Sequence, residues 1–503
     1  MHSFAYFCTH NMAKKLQDRI ILGLKVRQYR QELGWNFEDL HRQTGISISY
    51  LNEIEKGKKY PQTENLQKLS DALGISPEQL ASPELTHQLA PLGDLLKSNF
   101  LNELPLDLFG IELQQVVEII ARAPDRVNAF ISALLEIARL YALRNENFFL
   151  AALRAYQELH LNYFEDLETA AETFARKHQL LESGSAVQEE RLADLLREEY
   201  DYRIDEKGLA KYPELVGLRA LYQPHKRRLL LSPHLNARQR AFQLAKELGF
   251  QVLNLKERPL SSSLVRVESF EKVLNNFKAG YFAVALLVNR DAFARDLQFF
   301  LGQHKWNPNA LTDLMSKYAV SPEVLFQRFN LLTRHYNVQK TFFLRVVHRL
   351  ERDAFDLDKE LHLNRRHQPH ASGFQEHYCR RWVGIRLLQN MAKSADNSLY
   401  SAGVQRAVFY DTGEEYLCFA VAKTGSPAPA HNSSVTLGIQ LDAEAKAAIR
   451  FWNDPAIPKI TVNVTCQRCA LADCSERAAP PTAVERREQR RKVADLIKKL
   501  TEK

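Results

Sequence analysis

Apolar residues recur at helical spacing in short segments between residues 22 and 80, each bounded by glycine or proline. Leu22, Val26, Tyr29 and Leu33 mark one face of a first helix, which Gly34 stops. Phe37 to Thr44 predicts a second helix with Leu40 facing inward, and Gly45 supplies the turn after it. Ser47 is placed to cap a third helix through Glu55, with Leu51 and Ile54 buried, and Gly57 ends it. Pro61 opens a fourth helix carrying Leu66, Leu69 and Leu73, closed by Gly74. A last short helix follows Ser76-Pro77.

Beyond residue 84 the pattern is almost wholly helix-forming until residue 180. Phe130 to Leu143 and Phe148 to Phe174 predict long amphipathic helices without Pro or Gly, with Tyr156, Tyr163 and Phe164 in a core stripe. Glu182 to Ala186 predicts a linker or sharp turn. Leu218 to Tyr222 and Lys226 to Leu231 then alternate like a hairpin turning near Gln223-Pro224. Pro233 and Asn236 open a helix running to Phe250. Tyr416 to Ala422 alternates as a strand with Cys418 buried. The longest apolar run, Tyr281 to Val288, is too short to span a bilayer.

Composition narrows the class. A chain of 503 residues is long enough for about three domains. Its net charge of +8 and pI near 9.0 suit a nucleic-acid binder. The first residues show no basic, apolar and small-residue signal pattern, so a cytoplasmic location is expected. The cysteines are Cys8, Cys379, Cys418, Cys466, Cys469 and Cys474, too sparse for a disulfide scaffold. Three of them fall within Cys466-Gln-Arg-Cys469-Ala-Leu-Ala-Asp-Cys474. Thiolates so spaced can converge on one metal centre from a loop. A closed site wants a fourth ligand, and the spacing leaves structural zinc and an iron–sulfur cluster equally open. His367, His370 and His377 precede Cys379, in a polar stretch read as solvated loop.

Motifs in chain order add resemblances. The spacing Leu40–Gly45–Ile46–Leu51–Ile54–Glu55–Gly57–Pro61 resembles the xenobiotic-response-element type of helix-turn-helix. The resemblance implies a double-stranded DNA operator. Ile48, Ser49 and Glu53 would face base edges; Ser47, Tyr50, Asn52, Lys56 and Lys58 would meet phosphates. The hairpin and the helix with Gln239, Arg240, Ala245, Glu247, Leu248 and Gly249 resemble the zinc-peptidase fold of the ImmA/IrrE group. That group carries His-Glu-x-x-His, whereas this chain has Lys246 and Phe250 at the two ligand positions. An ammonium repels a cation and a phenyl ring has no lone pair, so proteolysis is not expected.

Gly280 to Leu287, Tyr318 to Arg328, Phe342 to Arg345, Cys379 to Trp382 and the run from Cys466 to Pro481 follow in order. Together with the earlier motifs they resemble the short-chain fatty acyl-CoA responsive regulators, the ScfR family. The resemblance implies a transcription factor with an acyl-CoA effector and a 4Fe–4S cluster, zinc being the alternative. It places Cys379 as fourth ligand beside Cys466, Cys469 and Cys474, although Arg380 stands where the family has proline. Arg240, Tyr281 and Arg345 are effector candidates by position.

The fold class expected is mainly α with an α+β sensor domain. The parts are a flexible arm (1–18), the helix-turn-helix domain (19–83) and a helical linker or dimerisation region (84–182). A degenerate zincin-like effector domain (187–362), a cysteine-rich module (363–482) and a basic C-terminal helix (483–503) follow. No enzyme activity and no membrane contact are expected, and two-fold operators favour a homodimer. The rival functions are a phage-type repressor without a small-molecule effector and an ImmA/IrrE-type metallopeptidase.

Overall fold

Local capping chemistry sets the N-terminal boundaries. The computed structural model describes residues 18–83, 145–180, 186–262, 269–363, 376–393, 399–425 and 431–501. It divides into two units, residues 1–152 with 268–270, and residues 153–267 with 271–503. In the first, helix α1 runs over residues 18–32, followed by α2 (Phe37–Thr44), α3 (Ile48–Glu55), α4 (Thr63–Leu73) and α5 (Pro77–Ala81). Asn36 and Asp39 form a capping box on α2, and Ser47 accepts from the Tyr50 amide at the start of α3. Gly45 and Gly74 close α2 and α4 in the left-handed conformation. The fourth helix begins at Thr63, two residues beyond the expected Pro61, with Gln62 as its N-cap. Leu22, Val26, Leu40, Leu51, Ile54, Leu69, Leu73 and Leu80 make one core.

The expected single helix from Phe148 to Phe174 is two, α6 (Asn145–Leu159) and α7 (Glu165–Lys177). Leu161 and Asn162 take positive φ between them. The break is bought by tertiary bonds: Asn330 donates to the Asn162 carbonyl, and the Phe164 amide donates to the Tyr281 hydroxyl. Helical periodicity cannot report a break of this kind. Phe130 to Leu143 lies outside the described residues.

In the second unit α8 (Glu189–Tyr200) precedes β1 (Arg203–Asp205), β2 (Ala220–Gln223) and β3 (Arg228–Leu231). The hairpin β2–β3 is as expected. The sheet order is β1-β3-β2, with β1 added parallel to β3. Helices α9 (Ala237–Val252), α10 (Phe270–Leu287), α11 (Arg290–Leu301), α12 (Ala310–Lys317), α13 (Pro322–Arg328) and α14 (Leu331–Tyr336) follow. A six-stranded sheet, β5-β4-β8-β7-β6-β9, is built from β4 (Thr341–Arg349), β5 (Ala354–His362), β6 (Tyr400–Phe409), β7 (Glu415–Lys423), β8 (His431–Gln440) and β9 (Lys459–Val462). All its pairings are antiparallel except β6 with β9.

One face of this sheet, through Leu417, Phe419, Val421, Val435 and Leu437, joins the helical core. The other, through Leu344, Ala407, Cys418 and Ala420, packs on α15 (Val383–Lys393). Burial on both faces explains why β7 reads as a nearly unbroken apolar run. The sheet also crosses the expected boundary at 362/363, since β4 of the effector region pairs with β8 of the cysteine region. The chain then passes α16 (Ala443–Ala448) and ends in α17 (Thr482–Thr501), exposed along nearly its whole length.

Candidate functional site

Three places in the chain concentrate functional side chains. The first is α3. Ser47, Ile48 and Ser49 at its start are exposed, as are Lys56 and Lys58 beyond its end; Tyr50, Asn52 and Glu53 are half-buried. Ile48 leaves 41% of its surface in solvent, a cost that an apolar contact with a base would offset. All eight expected contact residues therefore sit on one helix and its flanks. The devices holding α3 were not expected from the sequence. Arg30 of α1 grips Glu55 through bonds of 2.6 and 2.9 Å, and its guanidinium lies 4.5 Å from the Phe37 ring centroid. Gly23 is the point of closest approach: a Cβ there would lie 2.3 Å from the Ile54 carbonyl oxygen. That glycine carries no periodic signal.

The second place is a pocket lined by Cys379, Cys466, Cys469 and Cys474, together with Arg380, Arg381, Asn463, Glu476 and Arg477. Cys379 arrives from the segment before α15, and the other three come from the loop after β9. Two backbone bonds join the segments: the Cys379 amide donates to the Val464 carbonyl, and the Cys466 amide donates to the His377 carbonyl. Arg477 organises the loop from within, donating to the carbonyls of Cys466, Cys469 and Leu471. Burial pushes the Cys379 thiol up to about 11, against the pull of the Asn463 and Arg381 amides. None of the four thiols is in a disulfide. Among the described residues no three His, Cys, Asp or Glu side chains gather as a ready metal-ligand group, so the thiols line one pocket without closing on a shared point. The donor chemistry fits a soft metal: four sulfurs, with no competing carboxylate ligand besides Glu476 at the wall. His377 is engaged by Gln467, and His367 and His370 lie outside the described residues. Cys418 is fully buried on β7, away from this pocket; Cys8 lies outside the described residues.

The third place is α9. Glu247 accepts two bonds from Arg258, at 2.6 and 2.7 Å, and one from the Tyr202 hydroxyl at 3.1 Å. Burial would depress the Arg258 guanidinium, but Glu247 more than restores it. That guanidinium also lies 3.7 Å from the Phe250 ring centroid and 4.6 Å from that of Tyr222. Lys246 is buried and donates to Asn276 at 2.6 Å. The carboxylate is thus neutralised by a fixed cation, and the Phe250 ring offers a metal no lone pair.

The effector candidates have separate partners. Arg240 donates to Glu189 and the Leu235 carbonyl. Tyr281 donates to Glu168, itself held by Arg328 in a fully buried pair. Arg345 lies between Asp358 and Glu323.

A helix-turn-helix held by buried pairs, with its third helix presented to solvent, defines a DNA-binding protein. The Helix-turn-helix family matches residues 26–80, and the IrrE N-terminal-like domain family matches residues 211–330. Through its N-terminal domain the chain belongs to the HTH-type transcriptional regulators. The uncharacterized HTH-type transcriptional regulator YazB of Bacillus subtilis is 39% identical over 64 residues, covering 13% of this chain and 93% of YazB. Longer similarity is to two proteins of Mycobacterium tuberculosis. The HTH-type transcriptional regulator RamB is 24% identical over 500 residues, 91% of this chain and 94% of RamB. The HTH-type transcriptional regulator PrpR is 23% identical over 499 residues, 92% of each chain. Among the described residues no helix is long and apolar enough to cross a membrane.

Proposed function

We propose that this chain is a sequence-specific, homodimeric transcriptional regulator. Its C-terminal module holds an iron–sulfur cluster, or zinc in its place, on Cys379, Cys466, Cys469 and Cys474. Its effector is a short-chain acyl-CoA. The observation that carries the metal reading is the meeting of Cys379 with a loop some ninety residues later, all four thiols lining one pocket. A bound cluster would supply one-electron redox chemistry, and zinc a structural clamp. The protein's part is to hold the loop with Arg477, to bury Cys379, Cys466 and Cys469 with Cys474 half-buried beside them, and to release the thiol protons on binding. The IrrE-like region is read as non-catalytic, because Glu247 is consumed by Arg258 and Lys246 and Phe250 stand where that fold carries its two histidines.

Metal analysis and an absorption spectrum on protein purified without oxygen test the reading. Iron and sulfide at about four each per chain, with absorption near 400 nm, mark the cluster. One zinc marks the clamp. Cys469→Ser is expected to abolish the bound metal, and a variant retaining full iron and zinc refutes the ligand set.

A further inference from the structure

Helix α17 repeats apolar residues at heptad spacing on a face turned to solvent. Val493, Leu496 and Leu500 follow one another at intervals of three and four, with Ile497 beside them. Val493 is 49% exposed, Leu496 58%, Ile497 56% and Leu500 69%. The one buried residue of the helix, Val484, lies on the opposite face, nine residues before Val493. The Ala483 amide donates to the Gln467 carbonyl, so the helix is fixed to the cysteine loop by its back. The apolar seam therefore points away from the loop that carries it.

The flanks of the seam select its occupant. In heptad letters Arg486, Val493 and Leu500 take a, and Gln489 and Leu496 take d. Arg490 and Ile497 take e; Glu485, Lys492 and Lys499 take g. A β-branched residue at a with leucine at d favours parallel two-stranded coiled coils. There each g residue faces the e residue five positions on in the other copy. Glu485 meets Arg490, an opposite-charge pair made twice across a two-fold axis, and the Lys492 stem lies along Ile497. No like charges meet at these flanking positions. Antiparallel pairing of a with d instead brings Lys499 against Lys492 or Lys499 of the other copy. Arg486 and Gln489 interrupt the seam, and polar seam residues lower stability while fixing register. Other occupants fit less well. A bilayer surface favours aromatic residues and an unbroken apolar face, and residues 482–501 include no aromatic. DNA phosphates would leave the four apolar residues in water.

We infer that α17 is a dimerisation helix, which pairs in parallel with α17 of a second copy through Val493, Leu496, Ile497 and Leu500. The inference rests on the homodimer reading and names one of its contacts. A stable interface removes about 800 Å² per partner from water, more than a seam of about two turns covers. The helix pair thus adds to a contact made elsewhere in the chain.

Sedimentation equilibrium on full-length protein measures the dimer dissociation constant. Leu496→Gln with Leu500→Gln puts good helix formers at exposed positions, so the fold is retained. The double variant is expected to dimerise roughly tenfold more weakly, or worse. Glu485→Arg alone should weaken the dimer about threefold. Adding Arg490→Glu should restore it, because the two positions meet only in the parallel register. A Leu496/Leu500 variant as dimeric as wild type overturns the helix pairing and leaves the homodimer reading standing. A wild type that stays monomeric overturns both. Failure of the charge exchange to restore affinity overturns the parallel arrangement. Flotation with anionic phosphatidylglycerol vesicles covers the lipid alternative. Vesicle binding lost in the Leu496/Leu500 variant, with dimerisation unchanged, assigns the helix to a membrane surface instead.

Discussion

At the scale of single residues, Lys246 shows how a lost ligand position becomes a structural charge. Burial pushes its ammonium down to about 7 from the usual 10.5 of a lysine, with Lys359, Arg258 and Arg219 adding repulsion and Glu247 opposing it. The unfolded chain therefore binds one more proton than the folded chain between those two values. Stability contributed at this position rises with pH across that window, and the burial cost is fully present below about 7. Lys246→Met is expected to flatten the rise by one proton. Urea midpoints of wild type and variant between pH 7 and 10 measure it, and parallel curves would show that Lys246 stays charged. Neither this shift nor the Arg258–Glu247 pair was legible in the sequence. The loss of His-Glu-x-x-His was, because a missing lone pair is a property of residue type alone.

Among the elements, the loop from Cys466 to Cys474 depends most on one side chain. Arg477 binds three loop carbonyls, and the Ala478 amide approaches Cys466 Sγ at 3.4 Å. Without the guanidinium these carbonyls lose a charged donor and the loop loses its curvature before any metal binds. Groups that support metal ligands typically contribute about 10–100-fold in metal affinity. Arg477→Ala is expected to lower metal retention under a chelator challenge by that factor. Arg477→Lys should recover little, since one ammonium cannot span three acceptors. Undiminished retention in both would leave the loop self-supporting. The cysteine spacing was visible in the sequence; the arginine was not, because only its carbonyl partners distinguish it from any other surface cation.

For the whole molecule, regulation requires that operator affinity respond to the state of the C-terminal unit. Operator affinity against salt should give a steep negative slope. In a two-fold dimer, replacing Tyr50 and Lys58 together should weaken binding and reduce that slope by about 2, one phosphate contact per Lys58. Removal of the metal or addition of an acyl-CoA should shift affinity by about 5–150-fold if the two units are coupled. Affinity indifferent to both would leave a DNA-binding protein without a sensor.

The sequence alone determined the local architecture. The helix-turn-helix boundaries other than the start of α4, the β2–β3 hairpin, the capped start of α9 and the clustering of three cysteines are set by features that act over a few residues. Tertiary structure decided what depends on residues distant in the chain. It broke the α6–α7 helix at Asn162 through Asn330, carried one sheet across an apparent domain boundary, and brought Cys379 to the loop after β9. It also set Glu323 of α13 against Lys423 of β7 and Arg345 of β4, with Asp358 of β5 on the same guanidinium. A buried charge is defined by what surrounds it, and those neighbours are set by packing over long sequence separations rather than by any local pattern.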